Sequence, residues 1–254
     1  KKNIFLTFDD GLLCHFKYVL PILKKNNINA IFYIPTYPYI NEKILPAHKI
    51  HLILGTYGGK IACNFLDKYI DLSMLNNDHI EKFNKVTYNL QQNSDYTNKF
   101  KRTLNYYIKY EYRDNVVEDI FIKFFGNKEK DMIKKVYMSL NQIQQLYEAG
   151  MVIGSHSVNH KLMSRLTEKE FKKEIDESFS FLEHYTLYKT FCYPYGGFYS
   201  FNDKIEQYLN AKSVLFSVNV ESREIDNNDL KNRRQALPRF DCNEFDHGKI
   251  DVYE

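Results

Sequence analysis

The chain has 254 residues, 44% of them hydrophobic, enough to bury one large α/β core or two small ones. Its net charge is only +3 and its lysines are dispersed, so no nucleic-acid partner is expected. Cys14, Cys63, Cys192 and Cys242 form no C-x-x-C pair, which argues against a thiolate zinc site, and no stretch approaches the roughly eighteen apolar residues of a membrane span. Reduced thiols and the lack of a leader-like segment before Ile4 point to a cytoplasmic protein, although a first residue of lysine leaves room for a removed leader. Tyrosine (21) and phenylalanine (19) are abundant while tryptophan is absent, a surplus that fills cores more readily than it makes a sugar-stacking surface.

The first element is an apolar run, Ile4-Phe5-Leu6-Thr7-Phe8, that reads as a strand and ends in Asp9-Asp10-Gly11. Two adjacent carboxylates at a strand tip repel each other and resist desolvation. The arrangement is tolerable if a cation neutralises one and the other exchanges protons. Leu12, Phe16, Val19, Leu20 and Leu23 then recur at helical spacing, which predicts a helix from Leu13 to Asn26. Ala30-Ile31-Phe32-Tyr33-Ile34 is a buried strand stopped by Pro35, so the chain opens as a parallel strand-helix-strand unit.

From about 38 to 132 the pattern changes to weakly amphipathic helices, predicted around 42–54, 58–70, 78–90, 96–110 and 114–125. An excursion this long between strands exceeds an ordinary loop and reads as a helical insertion within a single domain spanning 1–254. It serves equally as a substrate-selecting cap or as a packing appendage and dimer face. Ser139-Leu140-Asn141-Gln142 is a capping box opening a helix that Gly150 stops, and Met151-Val152-Ile153-Gly154 is the next strand. Thr167-Glu168-Lys169-Glu170 opens another helix, with Phe171, Ile175, Phe179 and Leu182 at core spacing. Phe191-Cys192-Tyr193 reads as a strand end, 204–209 as helix, 214–218 as strand, and Ala236-Leu237-Pro238-Arg239-Phe240 as a last strand-like segment.

Right after the strand at 151–154 stands His156-Ser157-Val158-Asn159-His160, whose imidazoles are the neutral ligands the acidic strand end calls for. Polar turn histidines are the plainer alternative. Thr7-Phe8-Asp9-Asp10-Gly11, His156-Ser157-x-x-His160 and Phe191-Cys192-Tyr193-Pro194-Tyr195-Gly196 resemble, in order, the first three motifs of the polysaccharide deacetylases, the NodB-homology or carbohydrate esterase 4 family. The resemblance covers roughly 3–40 and 136–240. It implies an α/β fold, a distorted (β/α) barrel of NodB type with the insertion added. It also implies one divalent ion, Zn²⁺ foremost, on Asp10, His156 and His160.

In the same reading Asp9 is the general base that takes a proton from water at the cation, and the Tyr195 backbone N–H faces the oxyanion. Tyr193 and Pro194 are assigned to substrate contact. Two departures stand out. Cys192 replaces the family's base-tethering arginine, and Arg239, a strand-end residue, is the candidate to tether Asp9 instead, with a surface ion pair as the alternative. The family's late Leu-x-His motif has no match, and the only histidine after His184 is His247. His48, at the entrance to the insertion, becomes the candidate acid and His51 a substrate contact, whereas His15, His79 and His184 have no supporting context. The implied reaction is hydrolysis of an N-acyl group, acetyl first, from an amino sugar or glycan precursor of surface-glycan biosynthesis. The alternatives are a deformylase or other amide hydrolase on a nucleotide- or lipid-linked sugar, and a non-catalytic glycan-binding module on the same fold.

Overall fold

The structure is a computed structural model that describes residues 4–88, 91 and 93–246; His247 lies outside them. Five strands, β1 (Leu6–Phe8), β2 (Ala30–Ile34), β3 (Val152–Ser155), β4 (Thr190–Cys192) and β5 (Phe216–Val218), pair in that order, every pair parallel. The sheet curls into a distorted (β/α) barrel of NodB type. All five residues of β2 are buried, as a parallel strand covered on both faces requires. Its side chains alternate between two cores. Phe32 and Ile34 join Leu20, Leu23, Ile143, Leu146 and Ile153 under the helices, while Ile31 and Tyr33 meet Cys192, Val218 and Leu237 on the inner face. Burying an aliphatic or phenyl side chain of this kind contributes about 1.5–3 kcal/mol.

Two compact units divide the chain, Lys1–Lys43 with Lys130–Asp241, and Ile44–Glu129 with Cys242–Glu254. In the first, both predicted capping boxes form. Ser139 and Gln142 open the helix Leu140–Glu148, and Thr167 and Glu170 open Glu168–Leu182. The helix expected at 13–26 is split into a π turn at His15–Val19 and an α-helix at Leu20–Lys25. Pro21 has no N–H to give to the carbonyl four residues back, so the regular ladder starts only after it. The segment 236–240 does not form the strand expected of it. Arg234–Ala236 is a 3₁₀ turn, and Leu237 alone bridges β5, its N–H donating to the Ser217 carbonyl and its carbonyl accepting from the Asn219 N–H.

The second unit has its own core, including Ile50, Ile53, Leu66, Phe83, Phe100, Val117 and Phe121. Its two ends are tied by the Ile44 N–H donating to Glu129 Oε1 at 2.7 Å, and the buried Lys49 ammonium bonds both Glu118 and Glu129. The helices expected at 42–54 and 58–70 form one run, Pro46–Leu66, broken at Gly58 by a φ of 75°. Asn77–Asn84 and Asp95–Arg102 follow, each shorter than the sequence pattern, and Tyr110–Phe125 starts ahead of the expected 114–125. Among the described residues no helix is long and apolar enough to cross a membrane.

One backbone position in β3 is held to glycine by its neighbours. A Cβ on Gly154 would lie 2.5 Å from Thr190 Oγ1 and 2.6 Å from the ring of the buried Tyr33. We expect Gly154→Ala to destabilise the fold by about 1–3 kcal/mol, seen as a lowered midpoint in urea unfolding at unchanged slope.

Candidate active site

The site lies at the C-terminal ends of β1, β3 and β4, where alternate residues turn toward the inner face. Asp9 and Asp10 follow β1 directly, and Asp10 has a φ of 75°. Ser157, His160 and Tyr195 are also left-handed, at 63°, 50° and 69°. Side chains with a Cβ avoid this region, so four such residues in three loops of one site signal backbone held by its surroundings.

Asp10, His156 and His160 come together. His160 Nε2 stands 3.4 Å and His156 Nε2 3.6 Å from Asp10 Oδ1, and the two rings meet edge to face at 4.8 Å. Both histidines are buried. His156 Nδ1 lies 2.7 Å from the Cys192 carbonyl, which can only accept, so Nδ1 carries the proton. In the neutral ring the lone pair then sits on Nε2 and faces a carboxylate oxygen. Two electron-rich atoms so placed suit a cation between them. One carboxylate and two imidazoles within 4.8 Å of one another form a donor set that fits a divalent transition metal.

Asp9 is gripped from the far end of the unit. Arg239 donates Nη1 to Asp9 Oδ1 at 2.9 Å and Nη2 to Oδ2 at 2.5 Å, and its Nη1 also reaches Thr7 Oγ1 at 2.9 Å. Cys192 completes the group, its Sγ 3.0 Å from Arg239 Nη2 and 3.5 Å from Asp9 Oδ2. Burial pushes the Asp9 carboxyl up, but the Arg239 guanidinium outweighs it and holds the group below the usual carboxylate range. Burial and the Asp9 charge push the Cys192 thiol well above its ordinary value against the pull of Arg239. Cys192 is therefore a neutral thiol at physiological pH, and Arg239 supplies the positive charge beside Asp9.

The remaining expected residues stand on several different elements. Tyr195 sits at the rim with its ring 5.0 Å from His160. Tyr193 is a core residue rather than a substrate contact. Its ring stacks on Phe201 at 4.0 Å and its hydroxyl donates to the Gln235 carbonyl, because position 193 continues β4 onto the outer face. Pro194 is buried in the same turn. His48, buried, and His51, exposed, both stand on the helix Pro46–Leu66 of the second unit. His15, which has no context in the sequence, packs on Phe8 and Phe32, and burial lowers its pKa against the fields of Asp10 and Asp9.

Sequence reading missed two supports. Glu174 is a carboxylate on the buried face of Glu168–Leu182, and it accepts the Val158 and Asn159 backbone N–H groups at 2.9 and 2.7 Å. Its signal is an acid between Phe171 and Ile175 on a core stripe. The other support braces the approach to Arg239. Arg223 bonds Asp229 through both terminal nitrogens at 2.6 and 2.7 Å, Arg233 and Glu221 extend the network, and the Arg239 carbonyl accepts from the Glu221 and Ser222 N–H groups.

The model of the polysaccharide deacetylase family matches residues 1–51 and 119–214. No curated protein matches the chain. Among solved structures, the fold is similar to the Streptococcus pyogenes deacetylase PplD in complex with acetate, with a TM-score of 0.53, 15% identity, and coverage of 94% of this chain and 64% of that one. The BpsB deacetylase domain from Bordetella bronchiseptica is similar at a TM-score of 0.46 and 12% identity, with coverage of 93% and 70%. A de-N-acetylase from Aggregatibacter actinomycetemcomitans is similar at 0.46 and 14%, with coverage of 93% and 68%. The chain thus spans just under two thirds of the length of the S. pyogenes protein.

Arg239→Met removes the guanidinium and leaves Asp9 without its cation. The expected cost is about 1.5–3 kcal/mol at neutral pH. A depressed carboxyl stabilises the fold above its unfolded pKa, here 3.8, and loses that contribution as pH falls through the folded value. The gap in melting temperature between wild type and Arg239→Met should therefore be widest near pH 7 and close below about pH 4. A gap independent of pH would mean that the ion pair does not carry it.

Proposed function

Because the chain belongs to the polysaccharide deacetylase family, we propose that it hydrolyses an N-acyl group, acetyl foremost, from an amino sugar or glycan precursor. The observation that carries this reading is Asp9, held by Arg239 through both carboxylate oxygens beside the cluster of Asp10, His156 and His160. A divalent cation on that cluster, Zn²⁺ foremost, would supply Lewis acidity, making water acidic enough for a weak base to deprotonate and drawing charge from the amide carbonyl.

Each protein group then has one task. Asp9 stays ionised at neutral pH because Arg239 holds its pKa down, so it is ready to accept a proton from water. Arg239, donating also to Thr7, keeps both oxygens of Asp9 in one orientation while the proton arrives. The protonated Asp9, next to a permanent positive charge, is a strong acid, and it can return the proton to the departing amine nitrogen. That route asks nothing of His48 or His51. The Tyr195 backbone, in its left-handed turn after Pro194, supplies the N–H dipole toward the carbonyl oxygen as charge builds there. Acetate, the product of N-acetyl cleavage, is the molecule held by the S. pyogenes deacetylase of similar fold.

The test separates holding from chemistry. Wild type should carry close to one divalent ion per chain by elemental analysis, and His160→Ala should lose it. Asp9→Asn should keep the ion but release acetate from N-acetylglucosamine oligomers about 10²–10⁴-fold more slowly. A wild type that stays empty after incubation with zinc, cobalt and nickel, or an Asp9→Asn variant as fast as wild type, would overturn the proposal.

A further inference from the structure

Glu174 is 6% exposed, and among the described residues no lysine or arginine pairs with it. A buried carboxylate without a cationic partner is costly, so its hydrogen bonds show what it is kept for. All of them go to one short segment. Oε2 accepts from the N–H groups of Val158 and Asn159, and Oε1 accepts from Asn159 Nδ2 at 2.5 Å. Those two residues lie between His156 and His160. The opposite edge of the same segment is fixed by backbone, the Thr36 N–H donating to the Ser157 carbonyl and the Tyr37 N–H to that of Val158. Within it Ser157 and His160 hold left-handed φ angles, and the Ser157 hydroxyl accepts the His160 N–H at 3.1 Å.

The loop is thus clasped between the end of β2 and the helix Glu168–Leu182, and Glu174 is the helix's share of the clasp. Without it the buried Val158 N–H and the half-buried Asn159 N–H lose their acceptor, and the strained turn that aims both imidazoles at Asp10 has no tie on that side. We infer that Glu174 is a positioning residue that presets the His156–His160 loop for a divalent cation. This inference rests on the cation reading proposed above.

The experiment titrates Co²⁺ into the metal-free full chain by calorimetry and follows the visible absorption of the bound ion. Glu174→Ala should weaken Co²⁺ binding about 10–100-fold and shift the absorption bands. Glu174→Gln should stay within about threefold of wild type, because its carbonyl oxygen can accept both backbone N–H groups while the Asn159 amide turns to accept from the new NH₂. Ile175→Val loosens the same helix without touching the loop and should leave affinity and spectrum unchanged. Should Glu174→Ala fail to fold, Glu174→Asp decides. It keeps the charge but is one methylene short, and about tenfold weaker binding is expected. A folded Glu174→Ala or Glu174→Asp that binds Co²⁺ like wild type overturns the inference while sparing the cation site. A wild type that does not bind Co²⁺ overturns both.

Discussion

Two adjacent carboxylates at the tip of β1 are the constraint around which this protein is arranged. Side by side and partly withdrawn from water, Asp9 and Asp10 cannot both stay ionised unless each has its own source of positive charge. The structure separates them by backbone conformation. The left-handed φ at Asp10 sends its carboxylate toward two imidazoles, while that of Asp9 turns to a guanidinium. From this division follow two different chemical characters, one acid suited to hold a cation and the other to carry a proton.

The guanidinium is costly to deliver. Arg239 lies 230 residues from Asp9 in sequence, and the chain reaches it through a stretch with little regular structure after β5. The network of Arg223, Asp229, Arg233 and Glu221 supplies the order that a longer strand would otherwise give. Its Asp229 carboxyl is held down at about 2 by hydrogen bonds from Arg223, so the network stays ionised through neutral and mildly acidic conditions. Thr7 and Cys192 then fill the remaining space around the guanidinium without adding charge.

The histidine side of the site shows the same economy. Five residues carry both imidazoles, and their turn accepts hydrogen bonds from the Thr36 and Tyr37 N–H groups and donates to the Ser155 and Ser157 hydroxyls and to Glu174. Such a turn has few contacts of its own and takes its shape from the elements beside it. In consequence a residue on the helix Glu168–Leu182 ties the loop that carries both imidazoles.

The local devices were legible in the sequence because each depends on neighbours in the chain. The apolar run ending in Asp9-Asp10-Gly11, the capping boxes at Ser139 and Thr167, and the buried strand 30–34 are all set by spacing. The candidate ligands Asp10, His156 and His160 were legible for the same reason, since their types and their strand-end positions can be read without a fold. Helix boundaries in 44–129 were less so, because weak amphipathicity lets packing decide where each helix stops, as at Gly58. Only the tertiary structure decided what depends on distance in sequence. It turned Tyr193 into the core, made the thiol of Cys192 a neighbour of Asp9, and laid Glu174 under the histidine loop. Arg239 could be named from sequence only as one of two alternatives, an ion pair at the surface or a hold on the base. A guanidinium is recognised as the partner of a carboxylate by position in space, and spacing along the chain carries no information about a contact closed by the fold as a whole.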